Sequence, residues 1–219
     1  MSGQLKIINQ IIFDQYGFAN SEIAEKPVDK EGNPLAMYTY AALEYLNSLD
    51  FSGKSIFEFG SGSSTLYWMG KGALVTSVEN NEKWFDKIKN LEGNNAIFAK
   101  TSPEYVDSIL KFDDFDVIII DGIFSRYLCA KNAIKKIKDD GLIILDNSDW
   151  YPNTAKLIKE SLDWIQVDFY GIRPTKADTS VTSLFFSRKS NLKSKTGRQP
   201  NLALGGKNKH SKLDCDMSS

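Results

Sequence analysis

Histidine is nearly missing from this chain of 219 residues: the only one, His210, stands in a polar C-terminal segment. Any proton transfer inside the folded part therefore falls to carboxylates or lysines. Cysteine is almost as scarce. Cys129 falls in an expected helix and Cys215 in the polar tail, so no disulfide framework arises and a reducing cytoplasm is the expected setting. There is no CxxC pair and no Cys/His cluster, which argues against a zinc site. No apolar run approaches the ~20 residues needed to span a bilayer. The N-terminus lacks a basic region followed by a long apolar core, so no signal peptide and no membrane partner are expected. With a net charge of −1, no overall field recruits nucleic acid.

The charge is uneven. Residues 190–219 carry +4, which leaves −5 for the rest of the chain. That segment has no Phe, Tyr or Trp on which a base could stack. A solvated, disordered basic tail is expected there, with no nucleic-acid partner. The remainder is of a size for one domain. Residues 4–18 place apolar side chains at helical spacing. They read as a helix packed on the domain, with partner binding or a homodimer as the alternative. Residues 19–34 hold Pro27, Gly32 and Pro34 and read as a loop. The chain thus divides into an N-terminal helix and loop (1–34), a main domain (35–189) and a tail (190–219).

Within the domain a helix is expected over 35–49. From Ser55 onward strand and helix alternate. Strands are predicted at 55–59, 74–79, 95–99, 116–121 and 142–146, with helices at 64–70, 82–90, 103–111, 126–138 and 153–163. Alternation with short connections predicts a mostly parallel sheet with helices on both faces. Val117-Ile-Ile-Ile120 is apolar throughout, as a central strand buried on both faces must be. Two last strands, 164–170 and 181–187, predict a closing hairpin.

The densest signal is Ser55-Ile-Phe-Glu-Phe-Gly-Ser-Gly-Ser-Ser-Thr65, with Glu79 nineteen residues after Gly60. A strand running into a glycine turn brings backbone close to a ligand, because a Cβ there would collide with it. A carboxylate at the end of the next strand can accept from both ribose hydroxyls. The dinucleotide fingerprint fails, because Thr65 stands at its third glycine. Glu79 has a plainer reading as a helix cap.

Taken together, Glu58-Phe-Gly-Ser-Gly-Ser-Ser64, Val78-Glu79, Phe115-Asp-Val-Ile-Ile-Ile-Asp121-Gly122 and Gly141-Leu-Ile-Ile-Leu-Asp-Asn147 resemble the successive motifs of the class I S-adenosylmethionine-dependent methyltransferases. The resemblance covers residues 35–188. It implies an α/β, Rossmann-like, seven-stranded sheet with an antiparallel last strand. It implies S-adenosylmethionine as cofactor and methyl transfer to a small-molecule acceptor, at oxygen, on a sugar or another metabolite. Gly60, Ser61 and Gly62 would lie along the methionine part of the cofactor and Glu58 would help hold its amino group. Glu79 would grip the ribose, with Asn80 and Ser102 beside the adenine. Asp121 and Gly122 would floor the reactive methyl. The alternative is a non-catalytic protein of the same fold that binds the cofactor or a partner.

Asp121, Asp146 and Asn147 are the catalytic candidates. They resemble the magnesium-binding Asp, Asp and Asn of catechol-type O-methyltransferases, an oxygen set suited to a hard ion. This chain departs from that pattern at Phe124, where a lysine is expected. The turn-prone Asn-Ser-Asp-Trp-Tyr-Pro152 offers a structural role for Asp146 and Asn147 instead. Asp149, Trp150, Tyr151, Tyr170 and Arg173 are expected to wall an acceptor pocket, with Arg173 free to pair with a phosphate or carboxylate.

Overall fold

The structure is a computed structural model that describes residues 3–197 and 199–206. Its strands are β1 (Ser55–Phe59), β2 (Leu74–Glu79), β3 (Asn94–Phe98), β4 (Phe115–Ile120), β5 (Ile137–Leu145), β6 (Ile165–Ile172) and β7 (Thr179–Phe186). They lie in one sheet in the order β3-β2-β1-β4-β5-β7-β6. The first five are parallel, and β7 runs antiparallel to both β5 and β6. The helices are α1 (Gly3–Gln10), α2 (Phe18–Ala24), α3 (Tyr40–Asn47), α4 (Ser63–Gly70), α5 (Glu82–Ile88), α6 (Ser102–Asp107), α7 (Arg126–Ala133) and α8 (Pro152–Leu162). This is the expected Rossmann-like architecture with its reversed last strand.

Side chains alternate across a strand, so an all-apolar β4 feeds two cores. Val117 and Ile119 join Ile56, Leu142, Ile144, Leu43, Leu46 and Trp68 on one face of the sheet. Ile118 and Ile120 join Phe57, Phe59, Ile143, Leu145, Tyr105 and Ile158 on the other. Each of these side chains contributes roughly 1.5–3 kcal/mol by leaving water.

The parallel register sets the site. Phe59 is level with Val78 and Ile120, and Ile120 with Leu145. The next residues, Gly60, Glu79, Asp121 and Asp146, therefore share one edge of the sheet. Ligands of open α/β sheets bind at this carboxyl edge.

Three expectations need correction. The N-terminal helix is not continuous: α1 passes into a π-turn at Ile11–Gln15 and breaks at Gly17, and α2 follows where a loop was expected. Gly17 has φ +77°, and a Cβ on it would stand 2.5 Å from the Asp29 carbonyl carbon, so only glycine lets the chain fold back there. Helix α7 ends at Ala133 and β5 begins at Ile137, five residues before the expected strand. The β4–β5 register shifts between Phe115 and Val117, and Gly141 sits within the strand, with Ile137 Cδ1 2.8 Å from where its Cβ would be. That glycine marks a strand irregularity and does not end a helix. Finally, the first part of the tail is ordered against α3. Lys195 N donates to Ser48 O at 2.9 Å, and Leu204 N to Glu44 Oε1 at 2.7 Å. Residues 207–219, with His210 and Cys215, lie outside the described residues, and so does that part of the tail expectation. Among the described residues no helix is long and apolar enough to cross a membrane.

Candidate functional site

Strand β1 ends in Glu58 and Phe59, and the chain turns at Gly60 with φ +97°. A Cβ on Gly60 would lie 3.0 Å from Gly122 Cα and 3.1 Å from Asp121 O. Here the glycine serves the close approach of two strand-end turns. At Gly62, φ is 176° and a Cβ would meet nothing within 4 Å, so the space beside it is open.

Glu58 is fully buried. Its Oε2 accepts from Thr65 Oγ1 at 2.5 Å. Among the described residues its Oε1 has no partner, and neither has the buried Ser61 Oγ. Burial pushes the Glu58 carboxyl up to about 8, and the nearby hydroxyls of Ser64 and Thr65 offset part of this. Thr65 links this acid to the glycine turn. It accepts from Gly62 N at 3.0 Å while donating to Glu58.

Glu79, buried at the end of β2, holds the glycine turn from the other side. Its Oε2 accepts from Ser61 N at 3.0 Å, and its Oε1 from Asn80 N at 2.9 Å and Asn81 N at 2.7 Å. Asn81 caps α5 through Trp84 N at 3.2 Å, so Asn81, and not Glu79, is the N-cap.

Gly60, Ser61, Gly62, Glu79, Asn80, Asp121 and Gly122 line one cleft of about 500 Å³. Met37 and the Glu25–Pro27 turn after α2 also line it. Neither Glu58 nor Ser102 is among the lining residues: Glu58 is wholly buried at the end of β1, and Ser102 opens α6 behind its cap Thr101.

Asp121 and Asp146 end the neighbouring strands β4 and β5. The Asp121 side chain is 21% exposed, whereas Asp146 is almost wholly buried. Asp146 Oδ1 accepts from Thr182 Oγ1 at 2.7 Å, and Thr182 Oγ1 accepts from Thr39 N at 3.0 Å. Burial, and next the charge of Asp121, push Asp146 up to about 7. Asp121 is also raised, by burial, against the opposing pull of Arg126. Asn147 has a left-handed backbone (φ 49°) and opens a 3-10 turn, with Trp150 N donating to its carbonyl at 2.9 Å. Its amide is satisfied with the oxygen toward Ser180 Oγ (2.9 Å) and Arg173 Nη1 (3.0 Å) and the nitrogen donating to Asp146 Oδ2 (3.2 Å).

Sequence reasoning missed Arg126. It is the first residue of α7, and its guanidinium is buried among these acids. Nη2 donates to Asp121 Oδ1 at 2.9 Å, Nε to Gly122 O at 3.1 Å, and Nη1 to Asp146 O. A cation opening a helix opposes the helix dipole, and that was the one available signal. Arg173 departs from expectation as well. Its fork is closed on Asp178 at 3.0 Å through both Nε and Nη2, so it is not free for an anionic ligand.

The magnesium-class ion that the Asp, Asp and Asn set left possible does not fit. The place beside Asp121 and Asp146 already holds a guanidinium, and Asn147 is spent on Ser180, Arg173 and Asp146. Among the described residues no group of three or more His, Cys, Asp or Glu side chains could hold a metal. The cofactor does fit the residues present. Two buried oxygens lack partners beside the glycine turn, and Gly62 leaves open space where any larger residue would place a Cβ.

No protein-family model matches the chain, and no curated protein matches it in sequence. Solved structures do resemble it. The precorrin-6Y C5,15-methyltransferase of Geobacter metallireducens superposes with a TM-score of 0.51 at 12% identity, over 68% of this chain and 87% of that one. The N-methyltransferase NodS of Bradyrhizobium japonicum gives 0.48 at 11% identity, over 67% and 93%. A TehB-like S-adenosylmethionine-dependent methyltransferase of Corynebacterium glutamicum gives 0.48 at 14% identity, over 70% and 89%. At such identities the likeness is one of fold: the chain has the fold of the class I S-adenosylmethionine-dependent methyltransferases.

Proposed function

We propose that this protein binds S-adenosylmethionine in the cleft at the ends of β1, β2 and β4 and transfers its methyl group to an oxygen of a small-molecule acceptor. The observation that carries the reading is the pair of buried, partnerless oxygens, Glu58 Oε1 and Ser61 Oγ, beside a glycine turn with open space at Gly62. Buried polar atoms in native folds are ordinarily paired, so an unpaired one calls for a water or a ligand to complete it. A primary ammonium is the natural complement of Glu58, because it supplies both a donor and the missing positive charge. The likeness in fold to a precorrin methyltransferase supports the same direction.

The roles divide by position. Glu58 and Ser61 hold the amino-acid end, and Glu79 fixes the turn while its cleft-facing edge meets the ribose. The sulfonium cofactor supplies an already activated methyl group. What remains for the protein is to align the acceptor and receive its proton. Asp121 is the group suited to that. Its carboxylate is partly exposed in the cleft, Oδ1 is anchored by Arg126, and burial makes it a stronger base than an ordinary aspartate. Trp150, 59% exposed beyond the end of β5, offers a flat apolar face to a ring or sugar.

Calorimetric titration of S-adenosylhomocysteine, with NAD as control, tests the cofactor assignment. Micromolar binding of the sulfur ligand alone, weakened at least about tenfold in Gly62→Ala, is the expected result. No binding of S-adenosylhomocysteine would overturn it. Transfer of labelled methyl to a panel of hydroxylated metabolites then tests the reaction.

A further inference from the structure

Two carboxylates at neighbouring strand ends need a positive charge, or they cannot both ionise. Arg126 supplies one at hydrogen-bond distance, while Arg173, closed on Asp178, adds a more distant positive charge. The planar fork of Arg126 reaches three oxygens on two strand ends at once: Asp121 Oδ1 at 2.9 Å, Gly122 O at 3.1 Å and Asp146 O. Its remaining face stacks on the Tyr151 ring, with Cζ 4.5 Å from the centroid. The residue is only 7% exposed. It also opens α7, where the dipole disfavours a cation, so the helix does not explain its presence. The oxygens do. A lysine, with one point of charge, could not span them in the same way.

We propose that Arg126 is the resident cation of this site, that it takes the place a divalent ion would hold between the ends of β4 and β5, and that the protein works without a metal. Arg126 is a positioning residue. It fixes the Asp121 carboxylate through one oxygen and clamps two backbone carbonyls, that of Gly122 in the cleft lining and that of Asp146 at the end of the next strand. An acceptor then has no metal to chelate, so adjacent hydroxyls bring it no advantage. This inference concerns what balances the acids and stands apart from the methyl-transfer reading. A chain that ignored S-adenosylhomocysteine would leave it intact.

The experiment uses Mn²⁺ as the probe on the full chain, with electron paramagnetic resonance for binding and thermal unfolding for stability. Wild type should show no saturable Mn²⁺ binding tighter than about 1 mM, and the same Tm with Mn²⁺ or a chelator. Arg126→Met should lower Tm by about 10 °C, because it leaves the acids unbalanced. Mn²⁺ should now bind and recover part of that loss. Arg126→Lys should restore indifference to Mn²⁺, a rescue that a purely packing role would not give. Saturable Mn²⁺ binding to wild type that disappears in Asp146→Asn would overturn the proposal. So would an Arg126→Met chain as stable and as metal-indifferent as wild type. Should Arg126→Met not fold, Arg126→Met/Asp146→Asn decides: recovery of a folded chain supports charge balance, and failure to recover overturns it.

Discussion

Thr65 Oγ1 donates to Glu58 Oε2 at 2.5 Å and accepts from Gly62 N at 3.0 Å, so one hydroxyl ties the buried acid of β1 to the glycine turn above it. The residue that breaks the dinucleotide fingerprint is therefore the one that holds this turn. Thr65→Val keeps the shape and removes both bonds. It should cost about 1–3 kcal/mol, since Glu58 and Gly62 N are left unpaired in a buried place. Thr65→Ser should cost far less. Urea unfolding of the three chains measures this, and equal midpoints for Thr and Val would refute the tie.

The state of Glu58 makes stability and ligand affinity depend on pH in opposite directions. Burial raises its carboxyl from the ordinary glutamate value of 4.5 to about 8, so the folded chain holds this proton more tightly than the unfolded chain. The associated stability is fully present below the lower value and is lost as pH rises through the upper one. Asp146, pushed up to about 7, adds to the same slope. Glu58→Gln should flatten the upper part of that decline. A ligand ammonium needs the ionised acid, so S-adenosylhomocysteine should bind more tightly from pH 7 to 8 and release protons as it binds. Calorimetry at pH 7 in buffers of different ionisation enthalpy reads the release directly, and zero release would place the ammonium elsewhere.

The two glycines of the turn should separate stability from binding. A Cβ at Gly60 would press on Gly122 Cα and Asp121 O and would need a left-handed backbone, so Gly60→Ala should lose about 1–3 kcal/mol of stability. The sequence alone suggested that a side chain there would strike the ligand; the first thing it strikes is the protein. Gly62→Ala meets no protein atom within 4 Å and should leave Tm within about 2 °C of wild type. Its loss should appear only in ligand affinity. A stability loss at Gly62 as large as that at Gly60 would undo the distinction.

The elements most legible in sequence were those specified by local pattern. Strands β1 and β2 begin and end where alternation and the apolar runs put them, because burial on two faces leaves little choice of residue. β5 was expected to start five residues too late: Ile137 is buried and pairs with Phe115, and a long-range ladder leaves no mark in the local pattern. The same limit hid the site's cation. Arg126 looks like an ordinary helical surface residue until the topology brings β5 beside β4 and sets Asp146 O against it. Arg173 shows the reverse case, since a nearby acid in its own loop, Asp178, took the fork that an external anion was expected to fill. Spacing identified which residues reach the carboxyl edge; it could not say which of them neutralise one another.

Glu79 decides how the ribose expectation stands. Its two oxygens already accept from Ser61 N, Asn80 N and Asn81 N, so Glu79→Ala should cost about 1–3 kcal/mol of stability whether or not a ligand is bound. That loss alone would make the residue a backbone tether. A carboxylate has about four acceptor positions, and three backbone donors leave room for a further hydroxyl. The discriminating ligand is the 2′-deoxy analogue of S-adenosylhomocysteine. If Glu79 also receives a ribose hydroxyl, wild type should prefer the parent ligand by about tenfold, the scale of one hydrogen bond to a charged acceptor. Glu79→Ala should bind both weakly and without preference. Equal affinity of wild type for the two ligands would confine Glu79 to holding the turn and would move ribose recognition to Asn80 or to the wall formed by Glu25–Pro27 and Met37.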